Sequence, residues 1–191
     1  MRRQIAAGLC SAVLGLLALS LLAVAAPASP AGAPAKQAYS SIKELMDSII
    51  DPSADVLWGA GGTVVDRDGF HDLTPKTPQE WLDVRRAAVR ILEGGNLLMM
   101  PGREAAPAGT KSDTPGVELE PAQINALMKK DRKSFDGFAK ALQSIGLEAV
   151  RASDTKNAAL LLDLGARMDA VCESCHQTFW YPEAAAQSGK Q

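Results

Sequence analysis

Cysteine, aromatic residues and surplus positive charge are all scarce in this sequence. Three cysteines cannot build the disulfide network that holds many small secreted proteins together. Twenty Lys and Arg residues against 22 Asp and Glu residues give none of the basic excess that nucleic-acid-binding proteins carry. Aromatic residues make up only 5% of the chain and β-branched runs are few, which favours helix over strand. We therefore expect no disulfide framework and no nucleic-acid partner.

Familiar enzyme motifs are missing as well. The sequence contains no Gly-rich phosphate-binding loop, no catalytic triad and no carboxylate pair in a convincing context. Enzymatic activity is therefore the least favoured of the functions considered for this chain. A carrier or binding role is preferred.

The N-terminus has the pattern of an export signal. Arg2 and Arg3 form a positive region, and an apolar stretch from Ile5 to Ala26 ends among small residues that suit cleavage. We expect residues 1–28 to be a signal peptide and the mature protein to be periplasmic. The alternative is an uncleaved N-terminal helix that anchors the protein, because the apolar run is nearly long enough to span a membrane.

The remainder divides into three parts. Residues 29–38 are an Ala/Pro-rich tether, because prolines and small residues bury too little surface to become ordered. Residues 39–182 form the folded part, and residues 183–191 are expected to be a flexible tail. Within the folded part, apolar residues recur at helical spacing in four segments.

Each of the four segments has recognisable ends. Helix 1 begins at Ser40 or Ser41 and is interrupted by Asp51-Pro52, where a turn or short helix can follow. Helix 2 begins with a capping box at Thr77, with Pro78 and Glu80 behind it, and ends before Pro101. Helix 3 begins at Pro121, its apolar pattern is broken at Asp131, and Gly146 bends or ends it. Helix 4 is capped by Asp154 and is followed by Pro182.

Four amphipathic helices, each with one apolar stripe, predict an all-α fold. The expected arrangement is an antiparallel four-helix bundle with long loops after helices 1 and 2. These loops are residues 60–77, where Val64-Val65 and Asp68-Gly69 suggest a small hairpin, and residues 101–118.

The strongest chemical signal is Cys172-Glu173-Ser174-Cys175-His176, near the end of helix 4. This Cys-x-x-Cys-His spacing is typical of covalent c-type haem attachment, in which two thiols bind the vinyl groups and the imidazole binds the iron. At about 100° per residue, a helix directs all three side chains from one face. We therefore predict one haem c, attached through Cys172 and Cys175, with His176 as proximal iron ligand.

Two other interpretations of the motif are weaker. A zinc site would need a fourth ligand, and His71 is the only other histidine in the chain. A thioredoxin-like dithiol normally lies in a βαβ unit, and no such pattern is present.

An exported helical bundle with its single Cys-x-x-Cys-His near the C-terminus resembles the cytochrome c′ family, the class II c-type cytochromes. The resemblance covers residues 39–182 in architecture. Phe179 matches an aromatic position three residues beyond the family's histidine, whereas Trp180 stands where the family usually has Arg or Lys. The resemblance also implies a homodimer through the first two helices, although Pro52 alters that surface.

In this family a residue of the first helix faces the open side of the haem, so the resemblance implies Met46 as the distal ligand. A Met at this position would make the iron low-spin and suited to electron transfer, whereas a Met on an apolar stripe often only fills the core. Alternatives that remain open are Leu45 or Ile49 crowding a vacant site, and ligation by Met99, Met100 or His71.

Two functions follow from the two distal arrangements. The preferred one is a one-electron carrier that docks transiently with redox partner proteins. The alternative is a five-coordinate haem protein that binds the diatomic gases NO or CO. Peroxidase activity is disfavoured because, apart from His71, no distal acid or base group is recognisable.

Overall fold

The computed structural model describes residues 37–182, which form a mostly helical fold with one small hairpin. The predicted signal peptide, the tether up to residue 36 and the tail at 183–191 lie outside the described residues. None of the helices in residues 37–182 has both the length and the apolar character needed to cross a membrane.

The first helical region consists of α1 (Ile42–Leu45), a π turn (Met46–Ile50) and α2 (Asp51–Trp58). A capping box at Ser41 starts it, since the Glu44 carboxylate accepts the Ser41 backbone N–H at 2.8 Å. The short helix expected at Asp51-Pro52 is confirmed as α2, but the predicted interruption before it is wrong, because the chain stays helical there. The Asp51 N–H donates to the Met46 carbonyl five residues back, and this wider turn accommodates a proline that has no N–H to donate.

The suggested hairpin in residues 60–77 is confirmed. Strands β1 (Thr63–Asp66) and β2 (Gly69–Asp72) pair antiparallel, with Val65 opposite Phe70. Most of its side chains are exposed, so the hairpin is an excursion from the helical core.

Four longer helices follow: α3 (Pro78–Leu98), α4 (Pro121–Lys130), α5 (Arg132–Asp154) and α6 (Ala158–Phe179). The capping box at Thr77 and the break at Asp131 are both confirmed. The prediction that Asp154 caps the last helix is wrong. It is the final residue of α5, and the Asn157 side chain instead accepts the Leu160 N–H at 3.0 Å to begin α6.

Helices α3, α5 and α6 pack together around the main core. Helix α5 continues past Gly146, so the prediction that this glycine could end the helix is wrong. Gly146 has a packing role instead, because a Cβ atom built there would lie only 2.6 Å from the Leu92 backbone nitrogen of α3. Phe179, at the end of α6, is buried in an edge-to-face contact with Phe135 of α5. These contacts fix where the last turns of α6 lie.

Candidate functional site

The Cys-x-x-Cys-His motif occupies the last two turns of α6, and its three reactive side chains line one cleft. Cys172, Cys175 and His176 are all half-buried. The cleft contains about 690 Å³ of unfilled space, counting the part that is open to solvent. The three side chains therefore line one cleft, as expected if they leave the same face of the helix.

Apolar side chains from three other elements form most of the cleft wall. They come from the first helical region, from the end of α3 and from α5, and they include Ile50, Ala54, Leu98, Phe135, Phe138 and Leu142. A wall of this kind excludes water and favours apolar ligand groups.

Both thiols of the motif are free. Burial, with smaller contributions from the carboxylates of Asp51 and Asp169, raises the pKa of Cys172 to about 11. Burial raises the pKa of Cys175 to about 12, with a smaller contribution from Cys172. Dithiol oxidoreductases rely on a thiolate with a lowered pKa, so these values argue against the thioredoxin-like interpretation.

His71 belongs to a different part of the fold from this cleft. It lies on strand β2, is not part of the cleft lining, and its Nε2 is 2.8 Å from Oδ1 of Asp66. Across residues 37–182, no three His, Cys, Asp or Glu side chains group in a way that could hold a metal ion. The structure therefore does not bring His71 to the motif as a zinc ligand or as a distal haem ligand.

Met46 is the first residue of the π turn, and it lines the same cleft as the motif. Met99 and Met100 follow the end of α3 and are not part of the lining. Of the predicted thioether candidates, Met46 is thus the one that shares the cleft with His176. Whether its sulfur binds iron stays a prediction.

The π turn also changes which neighbours of Met46 face the cleft. Leu45 and Ile49, which were expected to crowd a vacant site, pack with the core and do not line the cleft. Ile50 and Asp51 line it instead. The sequence pattern missed them because one π turn adds a residue to the helix and rotates everything after it. Pro52 was the available signal for this shift.

The side of His176 away from the apolar wall is polar. A second pocket there shares Met46, Asp51, His176 and Trp180 with the cleft, and its other lining residues are Lys43, Asp47, Asp113, Glu118 and Tyr181. Lys43 Nζ lies 3.0 Å from Asp113 and 3.4 Å from Asp47, so it joins α1 to the long loop 101–118. His176 thus stands between an apolar cleft and an acidic outer pocket.

Asp51 is an acid at the boundary between these two surroundings. Desolvation raises its pKa, the neighbouring Asp47 and Asp55 raise it further, and His176 opposes the shift. The folded chain disfavours the ionised carboxylate, so Asp51 lowers the free energy of unfolding at pH values above the ordinary pKa range of a carboxyl group. This cost disappears as the pH falls through that range and the carboxylate becomes protonated.

Asp51→Asn is therefore expected to stabilise the protein at pH 7. The gain should be less than about 1 kcal/mol, since the side chain keeps contact with water, and it should shrink towards pH 4. Urea unfolding at both pH values measures it. Asp169→Asn, at an exposed position on α6 outside the cleft lining, is the control. A loss of stability at pH 7, or a gain that does not change with pH, would contradict the assignment.

Comparison of the chain with protein-family models, with curated proteins and with solved structures finds no match. Inference about function therefore depends on the chemistry of the motif and on the cleft that surrounds it.

Proposed function

We propose that the protein is a periplasmic c-type cytochrome that carries one covalent haem and transfers single electrons. The observation that carries this proposal is the convergence of Cys172, Cys175 and His176 on one apolar cleft. When bound, the haem supplies an iron that alternates between the ferric and ferrous states.

The residues of the cleft fit this cofactor. The two thiols lie one helical turn apart on α6 and are free to form thioethers, and the imidazole follows on the same face. Aliphatic and aromatic walls suit the porphyrin body. Cys172 and Cys175 would hold the group covalently, His176 would bind the iron, and Met46 would be a second iron ligand.

The same proposal extends to the architecture, which would be an antiparallel four-helix bundle of the cytochrome c′ kind. The first helix of such a bundle would be α1 to α2 with its π turn, the second α3, the third α4 with α5, and the fourth α6. What supports this is the packing of α3, α5 and α6, together with the contacts that α2 makes with α3 and α6.

The chain's own residues would serve electron transfer in two ways. Apolar walls limit the water that must reorganise when the charge on the iron changes. Asp47, Asp113 and Glu118 give the outer pocket an acidic character, opposed only by Lys43 among its lining residues. Redox partners with a basic face would therefore be attracted, and the pairing would be weakened by salt.

Met46→Leu tests the distal ligand with little change in side-chain volume. If the Met46 sulfur binds the iron, the wild-type protein is low-spin and shows the weak far-red sulfur-to-iron band. The variant should lose that band, become high-spin and bind CO in the ferrous state. Optical spectra of both proteins, with and without CO, measure these changes.

Met128→Leu is the matched control, because Met128 is buried but does not line the cleft. Its spectrum should equal that of the wild-type protein. An unchanged spectrum in Met46→Leu would remove Met46 as the ligand.

The second candidate function is the reversible binding of NO or CO at a five-coordinate iron. Ile50, Leu98 and Leu142 favour it, because these apolar side chains line the cleft and cannot bind iron. A high-spin wild-type protein that binds CO would select this function over electron transfer.

A further inference from the structure

Two residues that the haem motif does not require are joined beside His176. Glu173 lies between the two cysteines, and Tyr181 lies just beyond the end of α6. The Tyr181 hydroxyl donates to Oε2 of Glu173 at 2.6 Å, while Gln177 Nε2 donates to Oε1 at 2.7 Å. Both oxygens of the Glu173 carboxylate are therefore engaged, and the carboxylate is a fixed attachment point for the tyrosine.

The attached tyrosine ring lies against the imidazole. The ring centroids of Tyr181 and His176 are 6.1 Å apart with planes inclined at 56°, and the Trp180 ring is 6.2 Å away at 58°. Both distances lie in the range of direct aromatic contact, which is about 4.5–7 Å. Two aromatic rings thus limit the positions that the His176 side chain can adopt.

Backbone hydrogen bonds hold the two rings in place. The N–H groups of Trp180 and Tyr181 both donate to the His176 carbonyl, at 2.7 Å and 3.0 Å. The Trp180 carbonyl in turn accepts the N–H of Leu119, the residue directly after the long loop 101–118, at 2.8 Å. The turn that carries the rings is therefore tied both to His176 itself and to the loop.

The charge states favour the Tyr181–Glu173 bond at neutral pH. The hydrogen bonds from Tyr181 and Gln177 lower the pKa of Glu173, so it remains a carboxylate. Burial raises the pKa of Tyr181, and the bond to Glu173 raises it further, so the phenol keeps its proton. Bonds between a neutral donor and a charged acceptor are among the stronger hydrogen bonds in proteins.

We infer that Tyr181, held by Glu173, is a positioning residue that sets the orientation of the His176 imidazole. This inference rests on the proposed function, in which His176 binds the haem iron. It also gives a structural role to the segment in which Trp180 replaces the basic residue expected from the cytochrome c′ resemblance. Here aromatic rings and a neighbouring hydrogen bond, in place of a cation, would restrain the proximal ligand.

The first measurement is the electron paramagnetic resonance spectrum of the ferric haem protein. Tyr181→Phe removes the hydroxyl alone, and its signal should broaden and shift because the imidazole samples more orientations. Glu173→Gln keeps an acceptor for the hydroxyl and should change the signal less. Covalent haem content should stay at the wild-type level in both variants. Tyr39→Phe makes the same chemical change at a site that is 89% exposed, and it should leave the spectrum unchanged.

The second measurement uses the haem-free full-length chain, whose two histidines simplify assignment by nuclear magnetic resonance. Proton contacts between the rings of His176 and Tyr181 should be present in the wild-type chain and weaker in Tyr181→Phe. The His71 signals, from the hairpin, are the internal reference and should not change.

The two measurements separate the possible failures. Wild-type haem content with unchanged spectra in Tyr181→Phe would overturn the positioning role and leave the proposed function standing. A wild-type protein without haem would overturn the proposed function. The contacts in the haem-free chain would then decide alone whether Tyr181 restrains His176, and their absence would overturn that too.

Discussion

Expressed in a periplasm that matures c-type cytochromes, the Cys172→Ser/Cys175→Ser double variant is expected to carry no covalent haem. Serine hydroxyls do not form the thioethers that attach the cofactor, and Cys10, the remaining cysteine, lies within the predicted signal peptide. Wild-type protein should keep its haem through acid–acetone extraction and show the added mass of one haem. The double variant should lose all of its haem in the same extraction.

Single variants and a control inside the motif sharpen this result. Cys172→Ser and Cys175→Ser should each leave one thioether, and the visible bands of their reduced pyridine complexes should shift accordingly. Ser174→Ala preserves the Cys-x-x-Cys-His spacing and removes only a hydroxyl that bonds to the Ala170 carbonyl. It should therefore load haem like the wild-type protein. Extractable haem in the wild-type protein would contradict covalent attachment.

Local signals account for the parts of the fold that the sequence predicts well. The capping box at Thr77 needs only neighbouring residues to form, and so does the break at Asp131, whose side chain accepts the Ser134 N–H. The common face of Cys172, Cys175 and His176 depends on helix geometry alone. Such features are decided within one or two helical turns.

Features that depend on more distant contacts were missed. The π turn before Pro52 rotates Ile50 and Asp51 into the cleft, which a regular period of 3.6 residues cannot predict. Asp154 looked like a helix cap, yet α5 extends to it, and its carboxylate pairs with Arg85 of α3 at 2.7 Å. The contact between Tyr181 and His176 requires the turn after α6, which carries no periodic pattern.

Gly146 stands out in the sequence, but its role in the fold differs from the one that the sequence predicts. A glycine in a helical pattern indicates weakness, and from the sequence alone it suggested a bend or an end. In the fold it lies against the backbone of α3. A Cβ atom at residue 146 would be 2.6 Å from the nitrogen and 2.8 Å from the Cα of Leu92. Gly95 occupies a similar position on α3, since a Cβ there would be 2.7 Å from the Ala139 carbonyl.

Gly146→Ala is therefore expected to destabilise the protein strongly. The methyl group would meet backbone atoms of α3, which cannot move aside as a flexible side chain would, so the two helices must separate. Overpacking of this kind costs about 3 kcal/mol, which exceeds the gain of about 1 kcal/mol in helix propensity. For a chain of this size the midpoint of thermal unfolding should fall by roughly 5 °C or more.

Gly137→Ala provides a matched control on the same helix, because a Cβ atom at residue 137 would meet nothing within 4 Å. Only the propensity gain should remain, so this variant should be more stable than the wild-type protein by about 1 kcal/mol. Urea and thermal unfolding of both variants, followed by circular dichroism, give the comparison. Equal changes in stability for the two variants would mean that helix propensity alone determines the effect of an alanine in α5. Opposite signs are expected, because the same methyl group meets a helix backbone at residue 146 and open space at residue 137.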